Sequence, residues 1–354
     1  MTLSIPLVWS DDHRLHKPEA EIWVGVRTPA AETAARAEAI RNVLAGAGAE
    51  IVPAVPHDDA AIEAVHDGAL LAFLASAWRA WEEAGLPDDP GQDRVVPYIF
   101  PHPGLLGPLE PLVPTAAWAR PGAFCFDTMT LIGPGTWEAA RAAADAALTA
   151  ADLVSGGRKA AYACCRPPGH HVTRSAYGGS CYLNNAAVAA ARLRELGAAR
   201  VGIVDVDAHH GNGAQAIFWE RNDVFTGSVH VDPETGWFPH FLGTAAERGG
   251  GPGKGSNLNV PLPPGAGDAD WLRGVAEIVQ AARSNGAEAL VLALGVDAAG
   301  GDPESPLQVT RAGFREAGRI VTEQGLPCVI VQEGGYDLDS IGEFVLETLE
   351  GLDA

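Results

Sequence analysis

Four short apolar runs recur in the second half of the chain: Ala160–Cys165, Val201–Val204, Ala289–Leu294 and Cys328–Val331. None shows the strict apolar–polar alternation of a strand with one wet face, and each is followed at once by polar, Gly or Pro residues. Runs bounded in this way read as strands buried on both faces of a parallel sheet. Helical stretches fall between them. Pro134-Gly135-Thr136-Trp137-Glu138 opens a long Ala-rich helix, with Pro near the first turn, that should end near Gly156-Gly157. Asn185–Leu196, Asp270–Arg283 and Thr310–Gln324 are the next predicted helices, each with Gly within a few residues of its end. The alternation predicts an α/β protein: one domain over residues 1–354, with a central, mostly parallel sheet flanked by helices on both faces.

One stretch breaks the pattern. Val95–Phe126 holds seven prolines and only two charged residues, Glu110 and Arg120. It is too long for a routine connection. Its aromatics (Tyr98, Phe100, Trp118, Phe124 and Phe126) speak for order. The reading is an ordered insertion at about 86–126, placed at the rim of the site or at a subunit contact.

Composition narrows the function. The 354 residues carry 24 Lys and Arg against 45 Asp and Glu, a net charge of −21, with 47% apolar residues. That is globular rather than disordered. It excludes sequence-independent nucleic-acid binding and attraction to anionic lipid, both of which need a basic surface. The expectation is therefore no nucleic-acid and no membrane partner. The N-terminus lacks a basic segment followed by an apolar one, so no signal peptide is expected. The five cysteines are odd in number and form no CxxC pair. A reducing, cytoplasmic setting is the expectation.

Ligands in open α/β sheets bind beyond the carboxyl ends of the strands. The four segments that follow the four apolar runs should therefore converge. The first, Arg166-Pro167-Pro168-Gly169-His170-His171, presents two adjacent imidazoles on a turn; a His pair by itself is weak, but imidazole exchanges protons near neutral pH. The second, Asp205-Val206-Asp207-Ala208-His209-His210-Gly211-Asn212, puts Asp205, Asp207 and His209 on one face. Three such groups are costly to bury unpaired, and a divalent metal relieves that cost. Carboxylate with imidazole suits zinc, iron or manganese, and the lack of cysteine ligands argues against a closed structural zinc site. The third supplies Asp297, more often a turn former when alone, which completes a two-Asp, one-His set with an open coordination place. The fourth, Gln332-Glu333-Gly334-Gly335-Tyr336, lets backbone approach a ligand and aims a phenol at it.

Together these segments resemble the zinc-dependent histone deacetylase family, and more closely its bacterial relatives, the acetylpolyamine amidohydrolases and histone deacetylase-like amidohydrolases. Further matches are Trp9-Ser10-Asp11-Asp12-His13, Pro134 to Ala140, Cys181-Tyr182-Leu183-Asn184-Asn185 and Phe238 to Gly243. The resemblance implies the arginase/deacetylase-type fold and a metal-dependent removal of an acetyl or short acyl group from an amine. By resemblance, Asp207, His209 and Asp297 are the metal ligands. His171 is the general base and His170 its electrostatic partner, one of the two protonating the leaving amine. Asp205 and Asn212 are the partners of the two histidines, Tyr336 the oxyanion stabiliser, and the Gly179 carbonyl the acceptor for the substrate amide. The implied cofactor is zinc, with iron(II) allowed by the same ligands. A structural potassium held by carbonyls near Asp205, Asp207, His209 and Ser228 is also implied, as is a homodimer contact through the insertion.

The chain departs from the pattern at the substrate channel. Ser180 stands where most members carry an aromatic, although Phe238 keeps the opposite wall. The two acids that read a polyamine cation fall on Met129 and Trp118. This implies a wider, less charged mouth suited to an apolar or aromatic acyl-amine, while the Pro-rich insertion resembles the one that narrows the entrance in the acetylpolyamine relatives, which implies a small, thin substrate over an acyl-lysine of a folded protein. A binuclear manganese ureohydrolase would need another acid after His209, which His210-Gly211 does not supply. A non-catalytic acyl-amine binder on the same scaffold is favoured by no residue. Residues 156–215 hold seven basic and three acidic residues, a net +4, so the bulk acidity lies away from this segment.

Overall fold

The computed structural model describes residues 2–354. Its strands are β1 (Leu7–Trp9), β2 (Ala20–Trp23), β3 (Val26–Pro29), β4 (Ile51–Pro53), β5 (Ala160–Ala163), β6 (Val201–Asp205), β7 (Val224–Val231), β8 (Asn257–Leu262), β9 (Ala289–Leu294) and β10 (Cys328–Gln332). Eight form one sheet in the order β4-β1-β5-β10-β9-β6-β7-β8, and every pairing in it is parallel. β2 and β3 make a separate antiparallel hairpin. The four apolar runs are the four central strands, β5, β10, β9 and β6.

Helices cover both faces, and the strands sort their side chains between two cores. Along β9, Ala289, Val291 and Ala293 face one core while Leu290, Leu292 and Leu294 face the other. β10 divides likewise, Val329 and Val331 from Cys328 and Ile330. The first core packs the helices Gly68–Glu83, Thr136–Ser155 and Asn185–Glu195. The small side chains of β5 and β9 there meet helices rich in Ala, which lets helix and sheet approach closely. The second core packs Ala34–Gly46, Asp268–Ser284, Arg311–Thr322 and Ile341–Leu352. Asn184 caps its helix by accepting from the Ala187 amide at 2.9 Å, and Thr310 caps its own by accepting from Gly313 at 3.2 Å.

The segment 86–126 is ordered but holds little regular structure, a helical turn at Pro103–Leu106 and a 3-10 turn at Arg120–Ala123. Tyr98, Leu105, Leu109, Leu112 and Trp118 on it are exposed. All five cysteines are buried and unpaired. No helix among the described residues is long and apolar enough to cross a membrane.

Candidate active site

The carboxyl ends of β5, β10, β9 and β6 lie side by side, so the four segments that follow them meet. β6 ends at Asp205, and the chain then turns through Asp207 and His209. Asp297 follows β9, and Gly334 to Tyr336 follow β10. Asp207 and Asp297 are both 0% exposed and His209 is partly buried. One donor atom from each of these three lies within 4.8 Å of the others. His209 Nδ1 sits 3.1 Å from Asp207 Oδ1 and 3.0 Å from Asp297 Oδ2. Backbone amides fix both carboxylates: Ala208 donates to Asp297 Oδ1 at 2.8 Å, and Gly334 donates to Asp207 Oδ2 at 2.8 Å. A Cβ at Gly334 would come within 2.3 Å of Asp297 Oδ2 and 2.6 Å of Asp207 Oδ2, so only glycine admits this approach. Two fully buried carboxylates converging on one imidazole fit a divalent cation of the zinc or iron type.

The tandem histidines stand beside this cluster, both buried, with ring centroids 4.0 Å apart. His170 Nδ1 pairs with Asp205 Oδ2 at 2.9 Å, and its Nε2 lies 3.9 Å from Asp207 Oδ1. His171 Nδ1 pairs with Asn212 Oδ1 at 2.6 Å, while Asn212 Nδ2 donates to the His171 carbonyl at 3.1 Å. Burial opposes charge on His170, but the Asp207 and Asp205 carboxylates outweigh it and raise its pKa to about 10. His171 is held well below the usual imidazole range, by burial first and then by the charges of His170 and His209. Neighbouring imidazoles whose environments push them apart are suited to different proton duties.

Tyr336 is fixed from two sides. Its backbone amide donates to Asp302 Oδ2 at 2.7 Å, and the Arg36 guanidinium lies 4.6 Å from its ring centroid. Arg36 also donates to the carbonyls of Gly335 and Glu333, at 2.5 and 2.6 Å. Burial raises the Tyr336 phenol well above its usual pKa, against the opposing effect of Arg36, so the hydroxyl keeps its proton. Beneath it, Glu32 accepts from Arg36 at 2.9 Å and from Arg166 at 2.8 Å. Glu333, fully buried, accepts from the Gly169 and His170 amides at 2.7 and 3.1 Å. The sequence reading gives no role to Arg36, Glu32, Asp302 or Glu333. Apart from the Glu32–Arg36 pair, four positions apart, they bond across 34 to 299 positions, and no local pattern marks those contacts.

The mouth differs from what Ser180 implies. Gly179 (φ +62°) and Ser180 (φ +61°) form a tight left-handed turn closed by bonds between Gly178 and Cys181. A Cβ at Gly179 would reach 2.3 Å from the His171 ring, so the turn lies directly on that histidine. Phe238 stacks edge-on against His171 at 4.8 Å. An aromatic ring does face Phe238, but it comes from Phe126, at 6.3 Å and 28°. Asp127, two positions from the expected acid at Met129, is not a free channel charge. It accepts from the Gly179 amide at 2.6 Å and from Met129, Thr130 and the Thr130 hydroxyl at 2.8 to 3.1 Å. Met129 is partly buried in this loop, and Trp118 is half exposed on the insertion, with no recorded bond to the catalytic cluster among the described residues.

Glu21 on β2 sits near this loop. Burial, then the charges of Glu304 and Asp127, raise its carboxyl to about 7. Its folded pKa is above the unfolded value, so folding disfavours the ionised form. That penalty vanishes below the unfolded pKa of 4.5 and is complete above about 7. Glu21→Gln should raise Tm by about 1–2 °C at pH 8, an effect that shrinks towards pH 5; thermal scans at both pH values check it.

The histone deacetylase domain matches residues 30–352. The chain is 39% identical to the acetylpolyamine amidohydrolase of Mycoplana ramosa over 98% of its own length and 99% of that protein. It is 38% identical to acetylpolyamine amidohydrolase 1 of Pseudomonas aeruginosa over 97% of each. The crystal structure of acetylpolyamine aminohydrolase from Burkholderia pseudomallei superposes with a TM-score of 0.93, at 37% identity over 99% of each chain.

Proposed function

The chain belongs to the histone deacetylase family of metal-dependent amidohydrolases, and on that premise we propose that it removes an acetyl or other short acyl group from a small acylated amine. One observation carries the reading: the Asp207–His209–Asp297 cluster and the tandem histidines lie together beyond the ends of four adjacent strands, and Tyr336 stands on the segment after β10 whose Gly334 amide holds Asp207. The names of the full-length relatives favour a small amine over an acyl-lysine on protein.

Asp207, His209 and Asp297 would hold the metal, zinc or iron(II). When bound, such an ion polarises the scissile carbonyl and makes water a nucleophile at neutral pH. His171, kept neutral, takes the proton from the attacking water, with Asn212 fixing its ring. His170, kept cationic by the Asp207 and Asp205 carboxylates, stabilises the negative charge that develops, and the pair returns a proton to the departing amine nitrogen. Tyr336 donates its O–H to the oxyanion of the tetrahedral intermediate. The Gly179 carbonyl accepts from the substrate amide N–H, and Asp127 holds that residue in place. A structural potassium would be held by backbone carbonyls near Asp205, Asp207, His209 and Ser228; Ser228 is in register with Asp205 across β6 and β7.

Residues 1–354 act as one deacetylase domain. The 86–126 insertion is its rim, and the exposed Tyr98, Leu105, Leu109 and Leu112 are the face by which two copies would meet. The buried, unpaired cysteines suit a reducing cytoplasm.

Turnover of N-acetyl amines, acetyl-polyamines, acetyl-lysine peptides and aromatic acetamides tests the reading. Tyr336→Phe should lower kcat about 10²–10³-fold with metal content unchanged. Equal activity in that variant would remove the oxyanion role. Met129→Glu should improve kcat/KM for an acetylated polyamine several-fold by adding a carboxylate to the mouth; an unchanged value would show that Met129 does not face the substrate.

A further inference from the structure

The Gly169-His170-His171 turn brings both imidazoles to the site, and its backbone bonds show what holds it. Its carbonyls are taken by neighbouring segments. The Gly213 amide donates to His170 O at 3.0 Å, Asn185 Nδ2 to Pro167 O at 3.2 Å and Asn184 Nδ2 to Val172 O at 2.9 Å. A Cβ at Gly169 would lie 2.4 Å from Leu183 O and 2.5 Å from the Asn185 amide nitrogen, so the turn is pressed against residues 183–185. The two leading amides, of Gly169 and His170, both donate to one atom, Oε2 of Glu333. The other oxygen, Oε1, is buried with no bonding partner among the described residues, and no Lys or Arg there pairs with the carboxyl. A buried acceptor left unpaired weakens a fold, so stability does not account for a carboxyl at this point. Its main chain belongs to the tyrosine segment. The Glu333 amide donates to Leu294 O at the end of β9, and its carbonyl accepts from Arg36. One side chain thus joins the segment that carries the phenol to the turn that carries the imidazoles, across 163 and 164 positions, where β5 and β10 run side by side.

We propose that Glu333 is a positioning residue for the proton-transfer step: by accepting from both amides it fixes the histidine turn against the Tyr336 segment and sets where the two imidazoles stand. Its part is to accept hydrogen bonds, not to carry a proton. The Tyr336 segment keeps its own anchors, to Arg36, Asp302 and Asp207, so loss of Glu333 releases the turn and not the phenol. The proposal rests on the deacetylase reading above. A shift of about 1 Å in a reacting group costs about 10²-fold in rate.

Wild-type hydrolysis of an acetyl-amine panel is measured first. If no acylated amine is turned over, the deacetylase reading falls, and this proposal with it. With turnover established, the test compares Glu333→Leu, which fills the space and accepts nothing, with Glu333→Gln, which keeps an oxygen for both amides. Glu333→Leu should lower kcat about 10²-fold with KM within about twofold and metal content unchanged. Glu333→Gln should stay within about fivefold of wild type. The same substitution is then made in His170→Ala/His171→Ala. There Glu333→Leu should cost under about threefold, because the groups it positions are gone and the effects no longer add. An equal loss in both backgrounds would mark a general structural role and overturn the proposal. So would full activity in Glu333→Leu, or a Glu333→Gln variant as slow as Glu333→Leu. Should Glu333→Leu fail to fold, Glu333→Ala, which adds no bulk, takes its place in the same comparison.

Discussion

Replacing Asp297 by alanine should strip the enzyme of its metal and of its activity together. The side chain is fully buried, one oxygen held by the Ala208 amide and the other aimed at His209 Nδ1. No other carboxylate is placed to take over, because Asp205 is committed to His170. With one of three protein ligands gone, metal content after dialysis should fall from about one equivalent to under a tenth. Turnover should fall by at least about 10³-fold, since the metal supplies the activated nucleophile. Stability gives an independent readout. A ligand that binds only the folded state at about 1,000 times its Kd adds roughly 4 kcal/mol. Added zinc should therefore raise the Tm of the stripped wild type and leave that of Asp297→Ala unchanged. A variant that still holds a full equivalent would show that Asp297 is not a ligand.

His171→Ala should be almost as damaging for a different reason. The imidazole is the one kept neutral, it touches the Gly179 turn and Phe238, and its Nδ1 is fixed by Asn212. A positioned base contributes about 10²–10⁴-fold, and kcat should fall by that amount. His171 bonds neither Asp207 nor Asp297 in the structure, so metal content should stay at one equivalent. The contrast with Asp297→Ala is the informative result. Loss of metal in His171→Ala would make that histidine part of the metal's support, and full activity would remove it from the proton path.

The four central strands were legible because burial on both faces leaves an unbroken apolar run, and a strand end followed by Gly, Pro or acid marks where a site can form. Ala289–Leu294 matches β9 at both ends. The metal cluster and the tandem histidines were legible for the same reason, each lying within a few residues of such an end. What escaped depends on contacts between distant segments. Glu32 sits four positions before Arg36 but also joins Arg166 across 134 positions, and nothing near either end announces that second pairing. Phe126 escaped because the expected aromatic was sought in the Gly179-Ser180 turn itself, whereas the ring is delivered by a neighbouring segment. Asp127, two positions from Met129, is bound by four donors, three of them backbone amides, and its bond from the Gly179 amide spans 52 positions.

The strand order also dictates when the site can exist. β10, the last strand to be synthesised, lies in the middle of the sheet between β5 and β9. Until it is made, the nascent chain offers two separate fragments, β4-β1-β5 and β9-β6-β7-β8, each with a raw edge where β10 belongs. The proposed metal ligands follow β6 and β9, neighbours within one fragment, whereas the Gly334 amide that holds Asp207 arrives only with β10. The histidine pair follows β5 in the other fragment, and Tyr336 arrives with β10 itself. Insertion of that strand makes two long-range pairings, with β5 and with β9, late in folding, a slow step with exposed edges. Hydrolysis must therefore wait for β10: a chain cut short of residue 328 lacks both the amide that holds Asp207 and the proposed oxyanion donor, Tyr336.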